Sequence, residues 1–229
     1  LQEFKQYAQE HNIRDLFIHA LYLINLASEK TELVQKSKNV LVHNLKFGQQ
    51  FDCRGVVVHL GSHLGNGWDS SRQQVAVLIK EIIAEAGGEV PFLIENSAGQ
   101  KGKLSSELSE IRWLLDEVNH PNLGWCYDTC HGWAAGYSPT QGKNLFQEID
   151  QLELWDSFKC LHVNDSRDGL GSGRDRHANI LEGNVPPEDL KAILTDSRLA
   201  RVPIITEAPG FDGGGPDQEN INRIHGLIQ

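Results

Sequence analysis

Short apolar runs of two or three residues recur along the chain, and stretches with helical periodicity lie between most of them. Apolar runs of this length that are bounded by loop residues predict buried strands, whereas longer amphipathic stretches predict helices. The predicted strands cover residues 16–19, 55–60, 91–96, 123–128, 158–164 and 203–207. The predicted helices cover residues 1–12, 29–50, 70–87, 104–119, 143–152, 187–196 and 217–228.

This alternation predicts one α/β domain over residues 1–229. Strands joined by right-handed helical crossovers form a parallel sheet, either a barrel or a doubly wound layer, and the chain length suits a single domain. Six predicted strands are two fewer than an eight-stranded barrel needs. For a barrel, we expect the first two strands to precede Leu1, so that the sequence is incomplete at its N-terminus. The absence of any Met agrees with that expectation.

A side chain that can bind a metal ion follows each apolar run. Parallel strands point their carboxyl ends to the same side, and in a barrel these ends form the mouth that carries the chemistry. The residues at the predicted strand ends are His19, His59, Glu95, Asp128, His162 and Glu207. His131 follows Asp128 by three residues, and Asp175 and His177 share a short loop after His162. Imidazoles and carboxylates that converge in this way predict a metal site.

Nine candidate ligands are enough for a cluster of three ions, because one ion needs three or four ligands and one carboxylate can bridge two ions. Four carboxylates against three divalent cations leave a local charge of about +2, which attracts phosphate. The net charge of −10 argues by itself against a nucleic-acid partner. Three divalent ions would change it to about −4 and concentrate positive potential at the mouth, so the acidity of the chain does not decide the question.

The composition is that of an ordinary soluble globular protein, with 39% hydrophobic and 23% charged residues. No apolar run is long enough to span a bilayer and no signal peptide opens the sequence, so we expect a cytoplasmic protein without membrane contact. Three of the four cysteines lie in or beside apolar runs, which favours buried reduced thiols over disulfides.

Seven short segments hold most of the residues that can carry chemistry. They are FIHALYLIN (17–25), HLGSHL (59–64), IENSAGQ (94–100), CYDTCH (126–131), HVNDS (162–166), DRH (175–177) and EGN (182–184). In this order, and with every ligand position filled, they resemble the endonuclease IV family of apurinic/apyrimidinic (AP) endonucleases. The resemblance runs from the first residues to Glu207 and departs from the family at Leu60, where a Pro is common.

The resemblance implies a TIM (β/α)8 barrel that recognises abasic sites in double-stranded DNA during base-excision repair. It implies hydrolysis of the phosphodiester 5′ to the lesion, which leaves a 3′-hydroxyl and a 5′-deoxyribose phosphate, together with a phosphodiesterase activity that cleans 3′ ends. The implied cofactor is Zn²⁺, with one ion in each of three ligand sets and Mn²⁺ as an alternative at some sites. The implied sets are His19, His59 and Glu95; Glu95, Asp128, His162 and Glu207; and His131, Asp175 and His177. Glu95 and Glu207 are the implied catalytic carboxylates, and the protein is expected to be a monomer.

Residues near these segments have implied supporting roles. Tyr22 and Leu23 match family positions that enter the DNA stack as an apolar wedge, and the alternative for Tyr22 is an aromatic of the core. Asn164 and Asp165 closely follow His162, so we expect them to fix the orientation of the imidazoles.

Two other functions fit parts of the pattern. A sugar isomerase or epimerase on a related barrel uses one or two metal ions, and the ligand set around His131 and Asp175 has no evident use there. A non-catalytic module that binds metal or damaged DNA is compatible with a missing N-terminal segment. Cys126 and Cys130 are possible thiolate ligands, but they match no ligand position of the family, which favours core packing.

Overall fold

The computed structural model describes residues 2–100 and 102–229, and its centre is a six-stranded parallel sheet. The strands are β1 (Phe17–His19), β2 (Gly55–Val58), β3 (Phe92–Glu95), β4 (Leu123–Asp128), β5 (Phe158–His162) and β6 (Ile204–Ile205). They pair in chain order, each parallel to the next, with β1 and β6 at the edges of the sheet. Sequential order is typical of a barrel, since the order of strands reverses in a doubly wound layer.

Helices precede β1, lie between the strands and follow β6. In the described residues they are α1 (Gln2–Glu10), α2 (Thr31–Gln50), α3 (Trp68–Ala86), α4 (Leu108–Val118), α5 (Thr129–Ala134), α6 (Leu145–Gln151), α7 (Pro187–Leu194) and α8 (Gln218–Ile228). In α4 the buried residues recur at helical spacing and form one apolar face: Leu108, Ile111, Leu114, Leu115 and Val118. Among the helices of these two ranges, none combines the length and the apolar content that crossing a bilayer requires.

Several short elements supplement this framework. Single-turn 3₁₀ helices cover Trp155–Ser157 and Ser197–Leu199. Two-residue strands pair Tyr137–Ser138 with Lys143–Asn144, and Asp165–Ser166 with His177–Ala178. The sequence did not predict these pairs, because two residues are too few to show a periodicity.

The predicted elements lie in the right places, but some of their boundaries were wrong. The helix predicted over 1–12 is α1, and Leu1 lies outside the described residues. The helix predicted from residue 143 begins at Leu145, because the Asn144 side chain caps it by accepting a hydrogen bond from the Gln147 amide. The helix predicted from residue 104 begins four residues later, at Leu108, since the preceding segment is a loop bound to another part of the mouth.

Two hydrophobic clusters lie on opposite faces of the sheet. The larger one packs the helices against the outer face, and it includes Val56, Phe92 and Trp125. The smaller one faces the interior and consists of Val57, Leu93, Cys126 and Cys160, with Phe17 and Ile205 packed against it. Successive side chains of a strand point to opposite faces, so both sets come from the same strands. All four cysteines are free thiols, and only Cys53 is not fully buried.

Candidate metal centre

The interior cluster explains why the candidate ligands point into the mouth. Each of its members lies two residues before a candidate ligand, for example Leu93 before Glu95 and Cys160 before His162. Residues two apart on a strand share a face, so the ligands continue the interior column of side chains at the carboxyl edge of the sheet. The same spacing relates Phe17 to His19.

Three further candidates reach the centre from the segments that follow β4 and β5. Asp128 ends β4 and caps α5, where its side chain accepts a hydrogen bond of 2.8 Å from the His131 amide. This short helix turns the His131 ring back over the strand ends. Asp175 lies in a loop, whereas His177 was predicted in the same loop and instead begins a two-residue strand that pairs with Asp165–Ser166.

Glu95 lies at the centre of the group, and it is buried. Its Oε2 is 2.9 Å from His19 Nε2 and 3.2 Å from His59 Nε2. Its Oε1 is 3.1 Å from His162 Nδ1 and 3.4 Å from His131 Nδ1. The two oxygens of one carboxylate therefore face two different pairs of imidazoles.

The donor atoms of the nine candidates form three groups, and within each group they lie within 4.8 Å of one another. The groups are His19, His59 and Glu95; Glu95, Asp128, His162 and Glu207; and His131, Asp175 and His177. Each has the members of one predicted ligand set, and Glu95 belongs to two of them. Thiols also approach the centre, since Cys126 and Cys160 lie near His162, and Cys130 lies near Asp128 and His177.

Burial disfavours the charged forms of the side chains in this centre, but neighbouring charges of opposite sign outweigh that effect. Burial alone would raise the pKa of Glu95, yet His59 and hydrogen bonds from the other imidazoles hold that pKa well below its usual range. Burial would lower the pKa of His131, whereas Asp128 and Asp175 raise it well above its usual range. The pKa of Asp175 falls to about 2 in spite of burial, because His131 donates a hydrogen bond to it. Glu95 and Asp175 are therefore ionised at neutral pH, which is the form that binds a cation.

One atom of the centre lacks a partner that a metal ion would supply. His177 Nε2 is buried and has no hydrogen bond with any described residue. It lies 3.5 Å from Asp175 Oδ1 and 3.8 Å from Asp128 Oδ2. Buried polar atoms are almost always satisfied, and imidazole nitrogens with carboxylate oxygens are a donor set that divalent transition metals prefer. The residues present therefore fit a metal ion.

Comparison with known proteins identifies the family. The chain matches the xylose isomerase-like TIM barrel family over residues 1–225. It is 35% identical over 231 residues to "Probable endonuclease 4" of Chloroflexus aurantiacus, which covers 99% of this chain and 81% of that protein. It superposes on the crystal structure of endonuclease IV from Thermus thermophilus with a TM-score of 0.84 and 30% identity, over 99% of this chain and 80% of that one. The chain belongs to the endonuclease IV family.

The TIM-barrel fold predicted from the sequence is thereby confirmed. A D-tagatose 3-epimerase-like protein also shares the fold, with a TM-score of 0.76 over 99% of this chain and 81% of that one, but it is only 17% identical. An identity this low establishes a common architecture and carries no conclusion about chemistry.

In the candidate metal centre of this endonuclease IV family member, backbone carbonyls orient two of the imidazoles. His19 Nδ1 lies 2.9 Å from the carbonyl oxygen of Ala20, and His131 Nδ1 lies 3.1 Å from that of Asn96. Each Nδ1 keeps its proton for the carbonyl, so Nε2 is the ring nitrogen that would release a proton and bind a metal ion. Those Nε2 atoms face carboxylates, since His131 Nε2 is 3.0 Å from Asp175.

The supporting residues differ in part from the prediction. Asn164 contacts carboxylates rather than imidazoles: its Nδ2 donates to Asp128 over 2.5 Å, and its Oδ1 accepts from the Glu207 amide over 2.7 Å. Asp165 was predicted to orient an imidazole, but it accepts hydrogen bonds from the amides of Ser166, Gly183 and Val185. Asp165 therefore shapes the loops behind the centre.

Sequence reasoning missed Asn96. Its side chain bonds both backbone groups of Asp128, accepting from the amide over 2.6 Å and donating to the carbonyl over 3.0 Å. These bonds tie the end of β3 to the end of β4, and they fix Asp128 relative to Glu95. The available signal was its position directly after a strand-end carboxylate.

Exposed apolar side chains lie at the edge of the barrel mouth, directly after β1. Leu23 is 83% exposed and Tyr22 is 53% exposed, so the alternative interpretation of Tyr22 as a core aromatic was wrong. The Tyr22 ring meets the His59 ring edge to face, with centroids 5.2 Å apart. Lys103 Nζ lies 4.3 Å from the centroid of the Tyr22 ring. An exposed aromatic thus borders the metal centre directly.

Proposed function

We propose that this protein is a zinc-dependent AP endonuclease of DNA base-excision repair. Membership of the endonuclease IV family makes it a DNA-cleaving phosphodiesterase. The proposal adds that it hydrolyses the phosphodiester 5′ to an abasic site and leaves a 3′-hydroxyl and a 5′-deoxyribose phosphate. The observation that carries it is the position of Glu95, whose Oε2 faces His19 and His59 while its Oε1 faces His162, so that one carboxylate is shared by two of the ligand sets.

The ligands would be divided among three ions. His19, His59 and Glu95 would hold the first, Glu95, Asp128, His162 and Glu207 the second, and His131, Asp175 and His177 the third. Tetrahedral sites of nitrogen and oxygen ligands suit Zn²⁺, and Mn²⁺ is an alternative at the sites richer in carboxylate. When bound, such ions supply Lewis acidity that stabilises charge on the phosphate and makes water a nucleophile near neutral pH.

Two carboxylates of the chain have different positions relative to the substrate. Glu95 is buried and contacts four imidazoles, so its role is to fix the positions of the other ligands. The Glu207 side chain is 34% exposed, more than those of the other three carboxylates, so we expect it to be the carboxylate nearest to an entering phosphate. Burial would raise the pKa of Glu207, but His162 holds it below the usual value. An ionised Glu207 would orient the attacking water and accept its proton.

Tyr22 and Leu23 would enter the DNA at the lesion. Apolar side chains that wedge into a duplex unstack one step and help an extrahelical nucleotide stay out. An abasic site lacks both stacking and pairing, so this distortion costs least there. Selectivity for abasic sites would then come from deformability of the DNA rather than from contacts to base edges. The same centre would accept a blocked 3′ end, because its removal is also hydrolysis of a phosphodiester.

We further propose that residues 1–229 belong to one barrel domain that acts as a monomer. The larger hydrophobic cluster supports the single domain, since its members extend from Ala20 to Leu227 and leave no boundary between two cores. The domain would act in the cytoplasm, where DNA repair has access to its substrate.

The decisive test is incision of a duplex that contains a single tetrahydrofuran abasic analogue. We expect the zinc-loaded protein to cut that strand once, 5′ to the analogue, and to leave the same duplex without the analogue intact. Extension by a DNA polymerase would reveal the 3′-hydroxyl. A protein that retains its metal yet cuts neither duplex at any salt concentration contradicts the proposal, and it would favour a non-catalytic module or the sugar isomerase alternative.

A further inference from the structure

Lys103 lies on a loop that the rest of the mouth holds in place. The neighbouring amide of Leu104 donates to the carbonyl of Gly61 over 3.1 Å, and the amide of His63 donates to the carbonyl of Gly102 over 2.8 Å. Ser62 and Lys103 form an isolated antiparallel bridge. The loop after β3 is thus fastened to the loop after β2, and the Lys103 backbone has a fixed position beside the metal centre.

The Lys103 side chain reaches from this loop across the opening. Its Nζ lies 4.3 Å from the centroid of the Tyr22 ring, and that ring contacts His59. Lys103 also lines one small cavity together with His59, His131 and Asp175. A single aromatic ring therefore separates the ammonium group from a candidate ligand of the metal centre.

The charge of Lys103 is not neutralised by the described part of the chain. No carboxylate of residues 2–100 or 102–229 lies within 4.0 Å of its Nζ, whereas Lys38 pairs with Glu81 and Lys143 pairs with Glu107. The Tyr22 ring attracts the ammonium only weakly, as at other exposed cation–π contacts, and leaves its charge available to an anion. In a protein with a net charge of −10, such a cation at the mouth is suited to a phosphate.

We propose that Lys103 binds a phosphate of the damaged strand that flanks the phosphodiester to be cut, with the Tyr22 ring holding the ammonium group in position. This inference rests on the proposed function, because it assigns the second phosphate contact of the same substrate. The backbone carries a phosphate at every nucleotide, so a strand whose one phosphate reaches the metal centre places its neighbours at the rim. Lys103 would thus act in binding and positioning rather than in the chemical step.

The first test compares Lys103→Met with the wild type in single-turnover incision of the abasic duplex at several salt concentrations. Losing one phosphate contact should reduce the slope of log affinity against log salt by about 0.9 and weaken half-saturation about fivefold near 0.15 M salt. The maximal rate should stay the same. Lys103→Arg should restore the slope. Lys46→Met is the matched control, because Lys46 is exposed near the C-terminal end of α2, at the opposite end of the barrel.

The second test locates the phosphate. Duplexes with one uncharged methylphosphonate at successive positions around the lesion should reveal a position where neutralisation weakens wild-type binding but not binding by Lys103→Met. Equal penalties in both proteins at every position, or an unchanged salt slope in Lys103→Met, would overturn the inference while leaving the proposed function intact. A wild type that fails to cut the abasic duplex would overturn both.

Discussion

Asn164 connects two carboxylates that approach the metal centre from different strands. It follows His162 at the end of β5, donates to Asp128 at the end of β4 and accepts from the backbone of Glu207 beyond β6. The backbone amide of Asn164 donates to the Thr129 hydroxyl, and that hydroxyl donates to the backbone carbonyl of Asn164. The buried side-chain amide of Asn164 thereby fixes the spacing between ligands that belong to three neighbouring strands.

We expect Asn164→Ala to weaken zinc binding by roughly 10- to 100-fold, the usual effect of removing a hydrogen-bond partner of a metal ligand. The cause is release of the Asp128 carboxylate and the Glu207 backbone from their fixed positions. Competition against a chromogenic chelator measures the affinity. Asn39→Ala is a suitable control, because Asn39 lies on α2 and its side chain bonds to that of Gln35, far from the ligands. Equal affinities of wild type and Asn164→Ala would exclude this role.

The candidate ligands could be found from sequence, whereas several residues that support them could not. His59 and Glu95 directly follow apolar runs, so the strand pattern alone gives their position and direction. Asn96 and Lys103 lie in loops, where no periodicity shows which way a side chain points. Asn164 was identified, but its partner was predicted wrongly because both carboxylates and imidazoles lie within reach of that position.

The segment between β3 and α4 is the element whose conformation departs most from its prediction. Helical periodicity extends upstream to residue 104, but Gly102 and Leu104 bond to the loop after β2 and the Ser105 carbonyl accepts from the Ser97 amide, and these bonds outweigh the local preference. Ser105 adopts a positive φ of 65° there, and its amide donates to Glu110 in the first turn of α4 over 2.7 Å. Glu110 thus anchors the loop that carries Lys103.

Glu110 should make the stability of this element depend on pH. Burial raises the pKa of Glu110 from its ordinary value of 4.5 to about 7 in the folded protein. Between these two pH values the folded state therefore keeps a proton that the unfolded state has released. The free energy of unfolding should therefore fall as pH rises from about 4.5 to about 7, by up to about 3 kcal/mol. Glu110→Gln cannot ionise and should escape this loss.

Urea unfolding at pH 5 and pH 8 measures the free energy of unfolding of Glu110→Gln and of wild type. The contributions of other groups cancel in the difference between the two proteins. The variant should gain stability relative to wild type at the higher pH. Glu117→Gln, a change on the same helix farther from the loop, provides the control. The same change in stability with pH for wild type and Glu110→Gln would contradict the assignment.

The order of the strands in the sheet brings the nine candidate ligands together. The alternation of strands and helices is the same in a barrel and in a doubly wound layer, so the pattern alone left both open. Pairing in chain order curls the sheet in one direction and directs every strand end to one mouth. That order depends on long-range packing, and the resemblance to a family supplied it where periodicity could not.

The same convergence places four carboxylates in one centre of an acidic protein, and cations must balance them. The most direct measurement is the metal content of the purified wild-type protein by mass spectrometry, beside Glu95→Ala. We predict one zinc ion for each of the three ligand groups in the wild type, and fewer in Glu95→Ala because the carboxylate shared by two groups is gone. A folded wild type that keeps less than about one ion per chain after zinc loading and dialysis would contradict the account.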